Sequence, residues 1–277
     1  MHHTEGNITG RGGRSIYWQG WAPDGPPRAL VLLVHGAGEH GGRYGALAGH
    51  LNERGMAVAA LDHNGHGRSQ GRPGYVEAFG DYTADLASFH DHMEEQFPGI
   101  PVILLGHSLG GLVGGHYLLQ AQDRLVGAAF SGPLVSIEPA PGALQRLATR
   151  VLGTLVPRLG VLQLQPDGVS RDPAVVADYV ADPLVFHGRI SARMLREMFA
   201  AMDVLQERAG EITLPLLVMH GEKDRMTAPA GSRLLHERAS SADKSMTIYP
   251  GLYHEILNEP EREQVWGDLC GWCEAHL

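Results

Sequence analysis

Residues 30–44 read LVLLVHGAGEHGGRY, and two incompatible structures can be built from them. Leu30 to Val34 is an apolar run of the kind a buried parallel strand makes, and the glycines at 36, 38 and 41 then fit G-x-G-x-x-G at the opening of a helix. That is a dinucleotide-binding fingerprint. A second apolar run, MAVAALD, ends in Asp62, close to where such a site needs a ribose-binding acid. In the other reading, HGAG is a loop that aims a free backbone N–H at an acyl oxygen. The remainder of the chain arbitrates.

Residues 104–111, LLGHSLGG, contain G-x-S-x-G from Gly106 to Gly110. The motif follows an apolar run and precedes a helical one, GGLVGGHYLLQAQ, which is the strand-turn-helix context that gives it meaning. Glycines two residues either side leave room for a strained turn, and the turn exposes the Ser108 hydroxyl at the carboxyl edge of a sheet. A serine hydroxyl is a weak nucleophile at neutral pH and needs a base, itself oriented by an acid. LPLLVMHGEKDRM supplies Asp224 just past a strand, and SMTIYPGLYHEILNE supplies His254 just past the next, in the chain order Ser, acid, His. The rivals are Glu222 for the acid and His220 or His236 for the base. His220 ends its strand too early, and His236 lies in a helical stretch. An acylated Ser108 needs two oxyanion donors, which fall to the N–H groups of Leu109 and Ala37. HGAG is then the oxyanion loop, and Asp62 belongs to a structural turn, LDHNGHGRSQG.

Working outward, short apolar runs alternate with amphipathic segments: ALVLLVH, MAVAALD, IPVILLGHS, LVGAAFSG, LPLLVMHG and SMTIYPG. Such alternation predicts an α/β fold, a mostly parallel central sheet flanked by helices. RSIYWQGWAP followed by DGPPR reads as an edge hairpin strand and its turn. From about Leu134 to Asp203 no central strand is apparent, so this is an inserted helical subdomain between core segments 1–133 and 204–277. Within it, Leu144, Leu147, Val151, Leu152, Leu155 and Val156 share one helical face, with Arg146, Arg150 and Arg158 among them. That face either covers something in the same molecule, the simpler expectation, or lies on a membrane surface. DPLVFHGRISARMLREMFAAMDVL reads as two further helical pieces.

Bulk properties narrow the function. The net charge of −9 comes from 31 acids against 22 bases, and no Lys/Arg cluster offers a footprint for nucleic acid. Cys270 and Cys273 form CGWC in a helical stretch with no strand leading into it, so they read as neighbours on one helix face. No H-E-x-x-H occurs, and His90 and His92 would point apart on a helix, so no metal is expected. No apolar run is long enough to span a bilayer and the N-terminus lacks a signal-peptide apolar region, so the expectation is a soluble cytoplasmic protein.

HGAGEHGGRY, LDHNGHGRSQG, GHSLGG, SRDP, DPLV, HGEKDRM and YPGLYHEILNEPER, in this order along nearly the whole chain, resemble the α/β-hydrolases and, within them, the monoacylglycerol lipases. The resemblance implies a helical cap between the sixth and seventh strands, spanning 134–203, and no cofactor. It implies Ser108, Asp224 and His254 as the triad, Ala37 and Leu109 as the oxyanion hole, and hydrolysis of a monoacylglycerol to glycerol and a fatty acid. The animal enzymes carry a histidine three residues after the catalytic one, where this chain has Leu257, so their way of binding the glycerol alcohol does not carry over by that route. Leu134 and Met226 are candidates for the acyl-tunnel wall. Glu39 and Arg43 are candidates to meet the glycerol hydroxyls, or else form a local structural pair. Similar-looking relatives include lysophospholipases, carboxylesterases and proline-type aminopeptidases. A peptidase would need carboxylates for a substrate amine, and Glu138, Asp167, Asp172, Asp178 and Asp182 form no convincing cluster. A non-catalytic ligand receptor is the alternative from another class, and an intact Ser, Asp and His set argues against it.

Overall fold

The computed structural model describes residues 1–277. Strands β1 (His2–Thr9), β2 (Ser15–Ala22), β3 (Ala29–Val34) and β4 (Met56–Leu61) are followed by β5 (Val102–His107) and β6 (Gly127–Ser131). Helix α1 (Gly45–Glu53) lies between β3 and β4, α2 (Gly80–Gln96) precedes β5, and α3 (Leu109–Ala121) leaves it. The next segment holds α4 (Ala143–Leu155), β7 (Gly160–Gln163), α5 (Pro173–Ala181), β8 (Arg189–Ser191) and α6 (Ala192–Arg208). The chain ends with β9 (Leu216–Gly221), α7 (Pro229–Arg238), β10 (Lys244–Tyr249) and α8 (Arg262–Ala275).

Eight strands form one sheet in the order β1-β2-β4-β3-β5-β6-β9-β10, parallel from β4 through β10. Every residue of β3, β4, β5, β6 and β9 is buried, as continuous apolar runs covered on both faces must be. On one face Leu30, Leu32 and Val34 pack with residues of α2, α3, α6 and α7. On the other, Val31 and Leu33 pack with α1 and α8. This is the α/β-hydrolase architecture expected from the sequence.

Three expectations need correction. RSIYWQGWAP is not at the edge: β2 lies between β1 and β4, and the chain crosses DGPPR to β3 without pairing with it. The true edge is β1, whose polar alternation HHTEGNIT leaves most of it exposed and gives little apolar signal. The stretch 182–205 forms one helix, α6, preceded by a loop and the short β8; Ser191 caps α6 by accepting from Met194 N–H. The earlier helix, α5, takes its cap from Asp172.

The third concerns α4, whose apolar face does not cover the interior. Leu144, Leu147 and Leu155 are 79%, 57% and 74% exposed, and Val151 and Val156 are exposed beside them. The helix packs on α6 through its other side, where a Cβ on Gly153 would stand 2.9 Å from the Ala192 carbonyl oxygen. Periodicity shows that a helix has an apolar face, but not on which side its neighbour lies.

Backbone approach fixes the turn between β5 and α3. Ser108 is the one non-glycine residue with positive φ, at 53°. A Cβ on Gly110 would lie 1.9 Å from the Val34 carbonyl oxygen, and one on Gly106 would lie 2.6 Å from that of Gly110. Gly110→Ala is therefore expected to cost roughly 3 kcal/mol or to prevent folding, by overpacking against backbone that cannot yield. Urea denaturation of the purified variant measures it.

Candidate active site

Parallel strands end together, so the loops after β5, β9 and β10 emerge along one edge of the sheet. They carry Ser108, Asp224 and His254. Asp224 Oδ2 is 2.7 Å from His254 Nδ1, and the carboxylate accepts from the backbone N–H groups of Met226 and Thr227 at 2.7 and 3.0 Å through Oδ1. Ser108 and His254 line the same cavity. Their side chains are not hydrogen-bonded to one another, a contact that often closes only when a ligand is bound.

Burial alone would raise the Asp224 carboxyl, but the His254 charge and the hydrogen bonds from His220 and His254 overcome it and hold it well below the usual carboxylate range. Burial would likewise lower His254, yet the opposite charge and hydrogen bond of Asp224, with Glu255 and Glu39 nearby, leave it above the ordinary histidine value of 6.5. His107, whose ring centroid is 4.7 Å from that of His254, is pushed down to about 4 by burial and stays neutral. Of these two rings, only His254 meets the Asp224 carboxylate.

The loop after β3, the expected oxyanion loop, is held by a buried ion network. Glu39 Oε1 accepts from the Gly36 N–H at 2.6 Å and from the Tyr44 hydroxyl at 2.7 Å. Its other oxygen meets Arg43 at 2.8 Å, and Arg43 also forks onto Glu255 at 2.6 and 2.8 Å. Neither Ala37 nor Leu109 donates its N–H to another loop or turn carbonyl. Leu109 opens α3, so its N–H is one of the helix's orphan donors. Gly38, directly after Ala37, turns at a φ of 79°.

The dinucleotide reading fails on geometry. No α-helix opens at the glycines after β3; a 3-10 turn spans Gly41–Tyr44 and α1 begins only at Gly45. Asp62 spends both oxygens on the Gly41 and Arg68 backbone N–H groups, at 2.8 and 2.9 Å, and so ties two loops together.

Above Ser108 lies a cavity, with 12 of its 19 lining residues hydrophobic. Leu134 and Met226 are in its wall, with Leu164, Met198 and Phe199 from the inserted segment. Glu39 and Glu255 contribute its carboxylates, while Arg43 is not among the lining residues and stacks 4.8 Å from the Tyr179 ring centroid. Sequence reasoning missed Glu255, Thr227 and Tyr179. Glu255 follows the histidine directly, which was a usable signal; Tyr179 had none. Cys270 and Cys273 are free and buried in the core, with burial pushing the thiols up to about 11 and 12, so they pack rather than react. No group of three or more His, Cys, Asp or Glu side chains gathers in a geometry that could hold a metal ion.

Residues 25–261 match the family described as serine aminopeptidase, S33. The chain is 40% identical over 274 residues to a monoacylglycerol lipase of Mycolicibacterium smegmatis, covering 99% of this chain and 98% of that one. It is 34% identical to the human monoglyceride lipase, over 94% of this chain and 87% of the other. The crystal structure of a Paleococcus ferrophilus monoacylglycerol lipase superposes with a TM-score of 0.84 at 34% identity, covering 95% of this chain and 99% of that one.

Arg43→Met would strand two buried carboxylates, and a loss of about 3–5 kcal/mol in denaturant unfolding is expected. Because His254 must be neutral to act as a base and is held above 6.5, the reactivity of Ser108 toward a fluorophosphonate should fall as pH drops through a midpoint above 6.5. Inactivation rates across pH measure it.

Proposed function

This chain belongs to the serine aminopeptidase S33 family, and we propose that it is a monoacylglycerol lipase, cleaving one acyl ester to glycerol and a free fatty acid through an acyl-enzyme on Ser108. The observation that carries the substrate reading is the apolar cavity that ends on Ser108 and His254, with carboxylates at that end only.

In this reading His254 takes the Ser108 proton as the oxygen attacks the ester carbonyl, and Asp224 stabilises the imidazolium. The tetrahedral oxyanion is bound by the Ala37 and Leu109 N–H groups, each such donor lowering the barrier by about 3–4 kcal/mol. His254 then protonates the departing glycerol oxygen, and water deacylates the serine by the same steps. No cofactor enters the sequence of steps. Leu134 and Met226 line the acyl channel, where each buried CH₂ contributes ~0.8 kcal/mol. Glu39 and Glu255 accept from glycerol hydroxyls. Because they share Arg43, their charge is partly neutralised, which suits a polyol better than the ammonium of a peptide substrate.

Residues 134–203 act as a cap over the cavity, although the expected boundary at 203 falls inside α6. The outward stripe of Leu144, Leu147, Val151 and Leu155 docks the cap on lipid surfaces, delivering a substrate that partitions there. Arg72, Arg158 and Arg189 line an open groove with no acid in it, which favours a surface bearing anionic headgroups.

Fatty-acid release from mono-, di- and triacylglycerols is the direct test. Turnover confined to monoacylglycerols and reduced roughly ten-thousandfold or more in Ser108→Ala is expected; preference for short esters or larger glycerides would overturn the substrate reading. Vesicle co-sedimentation of Leu147→Asp/Leu155→Asp, with folding checked by circular dichroism, should show partitioning weakened by more than about tenfold.

A further inference from the structure

We infer that His220, set aside as the base by its place in the strand, is a positioning residue that shares the Asp224 carboxylate with His254 and thereby sets how basic His254 is. The inference rests on the reading of Ser108, Asp224 and His254 as a triad.

His220 sits near the end of β9, fully buried, and does not line the cavity. Its Nε2 is 3.0 Å from Asp224 Oδ2, the oxygen that also meets His254 Nδ1 at 2.7 Å, and 3.4 Å from both the carbonyl and the hydroxyl oxygen of Thr227. On its other side Nδ1 is 2.7 Å from the Ser232 hydroxyl of α7. The carboxylate and the Thr227 carbonyl offer only lone pairs, so the nitrogen facing them must carry a proton; Ser232 then donates to Nδ1, and the tautomer is set from both ends. The result is a chain of Ser232, His220, Asp224 and His254 in which one carboxylate oxygen serves two imidazoles.

Asp224 does not need His220 to stay in place. Oδ1 is fixed by the Met226 and Thr227 N–H groups, and the Thr227 hydroxyl lies 2.8 Å from Oδ2. What His220 supplies is charge dispersal. A donor on Oδ2 stabilises the negative charge there and weakens its hold on the His254 imidazolium, so His254 releases its proton at lower pH than it otherwise would. The other groups facing His254 are Glu255 and Glu39, with Arg43 clamped between them, and the neutral ring of His107. None of these contacts His220, so they cancel in a comparison of variants.

The experiment is the rate of Ser108 modification by a fluorophosphonate across pH, which needs no knowledge of the substrate, for the wild type, His220→Leu, His220→Gln and Ser232→Ala. In His220→Leu the acid midpoint should move up by about half to one pH unit, with a rate at neutral pH lower by about three- to tenfold that recovers at high pH. His220→Gln keeps an N–H donor and should restore most of the midpoint. Ser232→Ala should shift it less, in the same direction, and decides the matter if His220→Leu does not fold. The proton resonance of the Asp224–His254 hydrogen bond should move with the midpoint. A uniformly slower profile with an unmoved midpoint would reduce His220 to packing and overturn the inference, and a lowered midpoint would overturn it by showing that Asp224 had swung away from His254. A wild type inert to the probe would overturn the triad reading and this inference together, whereas a reactive wild type with unmoved variants overturns this inference alone.

Discussion

A single buried guanidinium connects the parts of this site. Arg43 bridges Glu39, which holds the Gly36 N–H and so shapes the loop after β3, to Glu255, the residue after His254. Its face lies against the ring of Tyr179 on α5. Loop, histidine and inserted segment therefore share one charge, largely removed from water. Burying such a cation is costly unless every donor is used, and the two carboxylates repay it only in this arrangement. The network limits the freedom of the two loops that carry Ala37 and His254.

The second constraint is steric. The helix α3 approaches β3 so closely that only glycine fits at 110, and the chain reaches that position by turning through a positive φ at Ser108. Strain at one residue is tolerated because the surrounding β strands and α3 are buried and packed. Ser108 N–H is held by the Ser131 carbonyl of the neighbouring strand, and its own carbonyl accepts from Leu134. The placement of the hydroxyl is thus a product of the sheet as a whole.

The inserted segment shows a different economy. Its inner residues line the cavity, while α4 turns its leucines outward. Apolar surface left in water has no stabilising role in the monomer, so a patch of this kind marks a contact surface. No helix is long and apolar enough to cross a membrane.

Much of this was legible in the residues. Five of the parallel strands announce themselves as apolar runs, because burial on both faces removes any polar alternation, whereas β10 at the edge is only partly buried. Ser108 was legible because its glycines are demanded by local backbone geometry, and Asp224 and His254 because each follows a strand whose end must lie at one edge of a parallel sheet. Other features depend on partners distant in sequence. The polar strand β1 exists because β2 offers it an edge, and β2 is interior for that reason. The sequence pattern of α4 specifies an apolar face, but its direction is chosen by the packing of α6. Glu39 and Arg43 could be read as a local pair from their spacing; that the guanidinium is also gripped by Glu255, 212 residues away, is decided only when the loops meet. His220 looked like a poor base, and it took the fold to set it on the same carboxylate as His254. Local steric demands and burial are written in neighbouring residues, whereas shared charges and the facing of surfaces arise from contacts that no short window contains.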